Sequence, residues 1–383
     1  MKRSSERILT THTGSLPRPE PLVAMLKAKE AGALADRAGF ERDVKAAVAD
    51  AVHKQTDAGI DIVNDGEMSK VGYSTYVTDR LTGFESAAPS FMLRVADVAD
   101  FPGYERRWAE DVSVTSLKRP CCTGPIKYRG QAELEADFAN LKAALAGVKV
   151  EEAFMSAASP GVVSMFLENR HYPTHEAFIG AVADAMKTEY EAIYRAGFVL
   201  QLDCPDLAMG HHVRFPDKSV AEFRKIAQTH VEAINAATAG IPADRVRMHL
   251  CWANYHGPHH RDIPLKDIID IILKARPQAV SYVAANPRHE HEFEVFNEVK
   301  LPAGKLLIPG VIDSTSNFIE HPELVAMRIC NLARVVGREN VIAGTDCGFG
   351  TFAGSATVDS EIVWHKLRAM AEGARLATKR LWS

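Results

Sequence analysis

Three observations predict an α/β fold closed into a (β/α)8 TIM barrel. Short apolar runs alternate with longer amphipathic stretches along most of the chain, which implies parallel strands joined by crossover helices. Ser15, Glu67, Asp203, Cys251, Asp313 and Cys347 all fall where such runs end, and a barrel builds its active site at that face. An open doubly wound sheet binds ligands only at its switch point, so contributions from this many runs favour closure. The 383 residues are read as one elaborated barrel domain, 1–383.

Taken in order, the strand candidates are ILTTHTGS, IDIVNDGE, CCTGPI, AFMSAASP, FVLQLDCP, VRMHLCW, AVSYVAA, LLIPGVID and NVIAGTDCG. Nine candidates compete for eight places, so one is an added strand or a loop. Helical spacing marks Gln131 to Gly147, Glu176 to Ala196, Val220 to Ala239, His321 to Val336 and Asp359 to Leu381. Residues 85–119 are less regular, with FPGYERRW inside them. They read as an insertion, an antiparallel hairpin over the barrel.

Composition narrows the function. Lys and Arg total 45 against 49 Asp and Glu, a net charge of −4, so no general basic field invites nucleic acid. Hydrophobic residues make up 46%, enough for a large core, yet no apolar run reaches the ~18 residues of a membrane span. The start, MKRSSERILTTHTG, has no apolar core of a signal peptide. Six cysteines, two of them adjacent (Cys121 and Cys122), do not make a disulfide framework. A cytoplasmic enzyme is expected. No GxGxxG nucleotide fingerprint is present.

The chemistry concentrates in His249-Leu250-Cys251 and in Cys347 of GTDCGFG. A His and a Cys two residues apart on a strand face the same way. With a second thiolate brought in by the fold they make an N/S/S set suited to zinc, and three protein ligands leave a position open for catalysis. Alone, His-x-Cys would more often be a satisfied buried strand. The second motif, in order with the others below, reverses that preference.

Seven motifs, in order, carry a resemblance: THTGSLPRP, NDGE, LQLDCPDLAMG, MHLCWANY, AANPRHEHE, PGVIDSTSN and GTDCGFGT. Together they resemble the catalytic half of cobalamin-independent methionine synthase, above all the short single-barrel members of that superfamily, which include epoxyalkane:coenzyme M transferase. The resemblance implies Zn²⁺ held by His249, Cys251 and Cys347. It implies a thiol pocket of Gly14 and Ser15 from the first strand, Glu67 from the second and Asp203 from the fifth. The implied reaction is alkyl transfer, methyl first, to a small-molecule thiol such as homocysteine. Epoxide opening by a thiol, and a non-catalytic zinc or ligand-binding barrel, are the alternatives. A leaving amine or opening epoxide needs a proton donor, and Asp203, Asp313 and the histidines from His256 to His260 are available. A sulfonated thiol would call on Arg18, Arg214 or Arg288.

Two departures stand out. Val283 occupies the place of a family glutamate ligand, for which Cys204, His289 and Glu290 are the available substitutes. Thr315 stands near a family histidine, and the chain shows one barrel where full-length synthases carry two. The alkyl donor, folate or other, therefore stays open, as do homo-oligomer formation and delivery of the methyl group by a partner protein. NYHGPHHRD invites a second metal site, but its irregular spacing beside Gly and Pro favours an exposed loop. RHEHE reads as a charged barrel rim, and Cys121, Cys122 and Cys330 as structural. Glu67 and Asp203 also suit helix caps, and Trp252 and Tyr255 suit a pocket wall or the core equally.

Overall fold

Seven parallel strands pair in chain order in the computed structural model, which describes residues 1–85, 95–111 and 119–383. They are β1 (Ile62–Val63), β2 (Glu152–Ala158), β3 (Val199–Asp203), β4 (Val246–Leu250), β5 (Ala279–Tyr282), β6 (Leu306–Ile312) and β7 (Gly344–Thr345). Residues 9–11 bridge the two free edges. The Thr11 N–H donates to the Ala343 carbonyl (2.8 Å) and the Ala343 N–H to that of Leu9 (2.8 Å). On the other side, the Ile62 N–H donates to the Thr10 carbonyl (3.0 Å). The sheet thus curls into a barrel with eight strand positions. CCTGPI is the surplus candidate: Cys122 bridges to Asn169 outside the named strands. Asp203 therefore ends the fourth barrel position, not the fifth.

Strand alternation sorts the core into two layers. Leu9, Ile62, Phe154, Val199, Ala279, Leu306, Ile308 and Ile342 form an inner cluster. The residues next to them in sequence, such as Leu200, Val280 and Leu307, belong to the outer cluster that packs with the helices. This two-residue period is what lets parallel strands be apolar on both faces. Above the inner cluster the barrel interior turns polar. Arg247 is 0% exposed and donates to Gln201 Oε1 (2.7 Å), Thr11 Oγ1 (2.9 Å) and the His12 carbonyl (2.6 Å). Its guanidinium lies 3.5 Å from the Phe154 ring centroid, so the cation is both paired and stacked.

The helices expected from spacing are present as Gln131–Leu145, His175–Arg195, Val220–Ala237, Pro322–Val336 and Ser360–Leu381. Their starts are capped: Thr174 accepts from the Ala177 N–H, and Ser219 with Glu222 forms a capping box. In His175–Arg195 the buried Phe178, Val182, Met186, Glu189 and Ile193 recur every three or four residues, which turns one face inward. No helix among the described residues is long and apolar enough to cross a membrane.

The insertion differs from expectation. Its described part contains helices Ala96–Ala99 and Pro102–Asp111 rather than a hairpin; residues 86–94 and 112–118 lie outside the described residues. The charges of YERRWAED recur at helical spacing, and no strand-like alternation competes.

Candidate metal centre

β4 turns Arg247, His249 and Cys251 to one side, and this parity places the last two at the C-terminal mouth of the barrel. β7 ends at Thr345, and two residues later Cys347 reaches the same place. The Cys251 and Cys347 Sγ atoms are 3.0 Å apart. That is far beyond the ~2.05 Å of a disulfide, and both thiols are free. Donor atoms of His249, Cys251 and Cys347 all lie within 4.8 Å of one another, and all three residues are buried.

The donor set fits a metal on its own chemistry. His249 Nδ1 is 3.3 Å from Ser281 Oγ, while its Nε2 is buried without a partner. Burial, aided by the nearby Arg247 charge, pushes this imidazole down to about 3, so its lone pair is free at neutral pH. Contact with the Cys251 sulfur, then burial, pushes the Cys347 thiol well up, because two thiolates cannot share this space without a cation. Ser314 Oγ accepts from the Cys347 N–H (3.1 Å) and donates to Asn254 Oδ1 (2.9 Å). Asn254 Nδ2 in turn donates to the Gly348 carbonyl (2.9 Å). The ligand loop is thereby tied to the segment after Cys251, the outer support that metal ligands need.

Among the candidate fourth ligands, none joins this group. Cys204 is buried in the outer core with its thiol toward the Leu202 carbonyl (3.4 Å). Glu290 pairs with Arg328 at 2.7 Å, and His289 bonds Asp262 and Glu292. Val283 is buried one residue beyond β5, two residues past Ser281, the neighbour of His249. Val283→Glu should raise zinc affinity on the order of tenfold or more by adding a carboxylate ligand. Unchanged affinity and an unchanged zinc-edge spectrum would remove Val283 from the ligand position.

Beside the thiols lies a second group of carboxylates. Glu67 has a left-handed backbone, φ 58°, a conformation found mostly where structure over-determines it. Arg18 supplies that constraint: its Nε (3.2 Å) and Nη2 (2.9 Å) donate to the Glu67 carbonyl and its Nη1 to that of Gly350. Arg18 thus braces backbone, and its guanidinium is spent there. The Glu67 side chain turns inward, with Oε2 buried and unpartnered. A Cβ on Gly14 would stand 2.6 Å from Glu67 Oε1 and 2.7 Å from Ser156 Oγ, and Gly14 has φ +148°. Only glycine leaves this wall open. Ser15 joins the walls through its carbonyl, which accepts from the Phe349 N–H (2.8 Å).

Asp203 Oδ1 accepts from Gln201 Nε2 (2.8 Å). Burial, reinforced by the charge of Glu67, pushes its carboxyl well up, which places the two acids in one electrostatic neighbourhood. Asp313 stands apart in role: its Oδ1 accepts from the Thr315 N–H (3.0 Å) and Oγ1 (2.8 Å), a local turn that occupies it. Arg214 packs toward Phe215, 5.7 Å from the ring centroid, and Arg288 Nη2 donates to the His260 carbonyl (3.2 Å).

Tyr73 is a buried neighbour of both groups that sequence reasoning missed. Burial and then the charges of Cys251, Asp203 and Cys347 push its phenol well up, so it faces both groups. Its N–H donates to the Thr351 carbonyl (3.2 Å), and its ring meets Phe352 at 5.4 Å and Phe166 at 5.9 Å. It lies six residues past the NDGE motif, in a stretch with no periodicity to announce it.

Two further expectations are corrected. NYHGPHHRD is not simply an exposed loop: His259 and Asp262 are buried, and His259 Nδ1 stands 2.8 Å from Asp262 Oδ2. RHEHE is only partly a rim, since His289 and Glu292 are buried and bonded at 2.7 Å. Trp252 is a core residue whose Nε1 donates to the Ile263 carbonyl (2.7 Å).

The family model for the cobalamin-independent synthase catalytic domain matches residues 8–375. Relatives named methionine synthase include one from Pyrococcus horikoshii, 26% identical over 373 residues, covering 97% of this chain and 93% of the relative. Another, from Saccharolobus solfataricus, is 25% identical and covers 97% and 95%. Among solved structures, a B12-independent methionine synthase from Shewanella sp. W3-18-1, in complex with selenomethionine, superposes with a TM-score of 0.73 at 18% identity. It covers 98% of this chain and 99% of that one, and it supports the fold. The chain belongs to the cobalamin-independent synthase catalytic-domain family.

Proposed function

We propose that this chain transfers a methyl group to the thiol of homocysteine, using zinc held by His249, Cys251 and Cys347. The observation that carries the reading is the convergence of one imidazole and two thiols within 4.8 Å at the barrel mouth, in a chain of this family. When bound, zinc supplies the acidity that turns a thiol in its open position into the nucleophilic thiolate at neutral pH.

The remaining residues bind and orient. The free Glu67 Oε2 presents an acceptor suited to the substrate ammonium, with Asp203 beside it in the pocket. Gly14 keeps the wall beside them open, and Arg18 fixes the Glu67 backbone. Holding the sulfur near the methyl carbon gives the reaction its orientation advantage. Asp203, whose carboxyl burial and then the charge of Glu67 push well up, is the proposed donor to the leaving group; Asp313 is second, since its turn engages one oxygen. Tyr73 closes the side toward Phe352. The named relatives lend the epoxide-opening reading no support.

Zinc-edge absorption with a panel of thiols that includes homocysteine and coenzyme M tests this. Homocysteine should add one sulfur neighbour to the metal. An unchanged spectrum with every thiol would overturn the reading, and a response to coenzyme M alone would transfer it to the epoxide reaction.

A further inference from the structure

Asp97, His259 and Asp262 also bring donor atoms within 4.8 Å of one another, and all three are buried. Two more imidazoles close on the same carboxylate. His259 Nδ1 and His289 Nε2 each stand 2.8 Å from Asp262 Oδ2. His212 Nδ1 stands 3.4 Å from Asp262 Oδ1.

The far nitrogens of two rings are already engaged. His259 Nε2 is 3.1 Å from the Tyr255 carbonyl oxygen, and His289 Nδ1 is 2.7 Å from Glu292 Oε2. Each ring thus has an oxygen acceptor at both nitrogens, and a metal ion would take the place of the near proton while the far one stays bonded. Metal-bound histidines are oriented in this way. The unpartnered atoms point to the same conclusion. Asp97 Oδ1, Asp262 Oδ1 and both ring nitrogens of His212 have no hydrogen-bond partner. Asp97 is 0% and His212 1% exposed, so solvent does not serve them. A proton between His212 Nδ1 and Asp262 Oδ1 would still leave Asp97 Oδ1 and His212 Nε2 unserved.

We propose that Asp97, His259 and Asp262, with His212 and His289, form a second metal site for a divalent first-row transition cation such as zinc. Its donors are all nitrogen and oxygen, the choice of imidazole and carboxylate that suits zinc, manganese or ferrous iron. It shares no residue with the thiol-bearing centre and does not rest on the proposed reaction. Its place suggests what it does. Asp97 belongs to the helix Ala96–Ala99 of the insertion, and it also accepts from the Tyr255 hydroxyl (2.6 Å). His259 and Asp262 lie in the loop that follows Cys251, and the Trp252 ring stacks on His289 at 4.4 Å. A cation here fastens the insertion to the loop that carries a ligand of the first centre.

Metal content decides the matter. After loading with zinc and desalting, the wild-type chain should hold about two ions. The Cys251→Ser/Cys347→Ser variant should hold about one, with nitrogen and oxygen but no sulfur neighbours at the zinc edge. Asp262→Asn should keep only the sulfur-bearing ion. The double cysteine variant leaves the second cluster untouched; near-zero zinc in that variant, folded by circular dichroism, would overturn the proposal. Cobalt(II) titration of the wild type provides a measure free of mutation. Two phases, only one of them with thiolate charge-transfer absorption, are expected, and saturation at one equivalent would overturn the site.

Discussion

Cys347→Ser should lose most of its zinc and at least about 100-fold in methyl transfer, since the loss of outer-shell partners alone costs 10–100-fold in such centres. The thiolate is the form that binds metal, and a serine hydroxyl stays protonated at neutral pH. The rest of the loop should survive, because its backbone contacts do not use the thiol. The Cys347 N–H still donates to Ser314 Oγ, and the Phe349 N–H to the Ser15 carbonyl. Metal analysis beside circular dichroism separates loss of the ligand from loss of the fold. Full zinc retention in a folded variant would remove Cys347 from the centre.

Arg80→Ala should cost about 3–5 kcal/mol of stability, the price of leaving buried charges without their partner. Arg80 is 4% exposed and pairs with Asp137 and, at 3.2 Å, with Glu189 Oε2. Glu189 also accepts from the hydroxyls of Tyr76 (2.6 Å) and Tyr128 (2.8 Å). Tyr76 in turn accepts from the Ala158 N–H (3.2 Å) at the end of β2. The network therefore joins the segment after Glu67 to the helices Gln131–Leu145 and His175–Arg195. Removing the cation strands two carboxylates that neither tyrosine can neutralise. Urea unfolding of the variant measures this, and a loss below about 1 kcal/mol would mean that water reaches the pair.

Much of this was legible before the fold. Strand parity put His249 and Cys251 on one face, and the apolar runs located every barrel position. Parity is local, so a one-dimensional pattern reveals it. What the sequence hid depends on partners far away in the chain. CCTGPI looks like a strand because Cys and Ile favour burial, yet its partner is Asn169 rather than the sheet. His259 and Asp262 looked solvent-exposed because polar residues beside Gly and Pro usually are. They are buried because Asp97, His212 and His289 arrive from three other segments. Tyr73 had no signal at all: its place is set by Thr351 and Phe352.

The segment 9–11 pairs with both Ile62 and Ala343. Ribosomal synthesis makes this strand shortly before its first neighbour and long before its second. One of its edges can pair early; the other must wait until Ala343 has been made. Until then the incomplete sheet presents two open borders, the kind that recruit strands from other chains, and such long-range pairing is slow. Closure of the barrel is therefore also the end of its exposure to aggregation. Thr10→Pro would act on the early edge instead: position 10 donates its N–H to Asp61 Oδ2 (2.8 Å) beside the Ile62 pairing, and proline has no N–H to give.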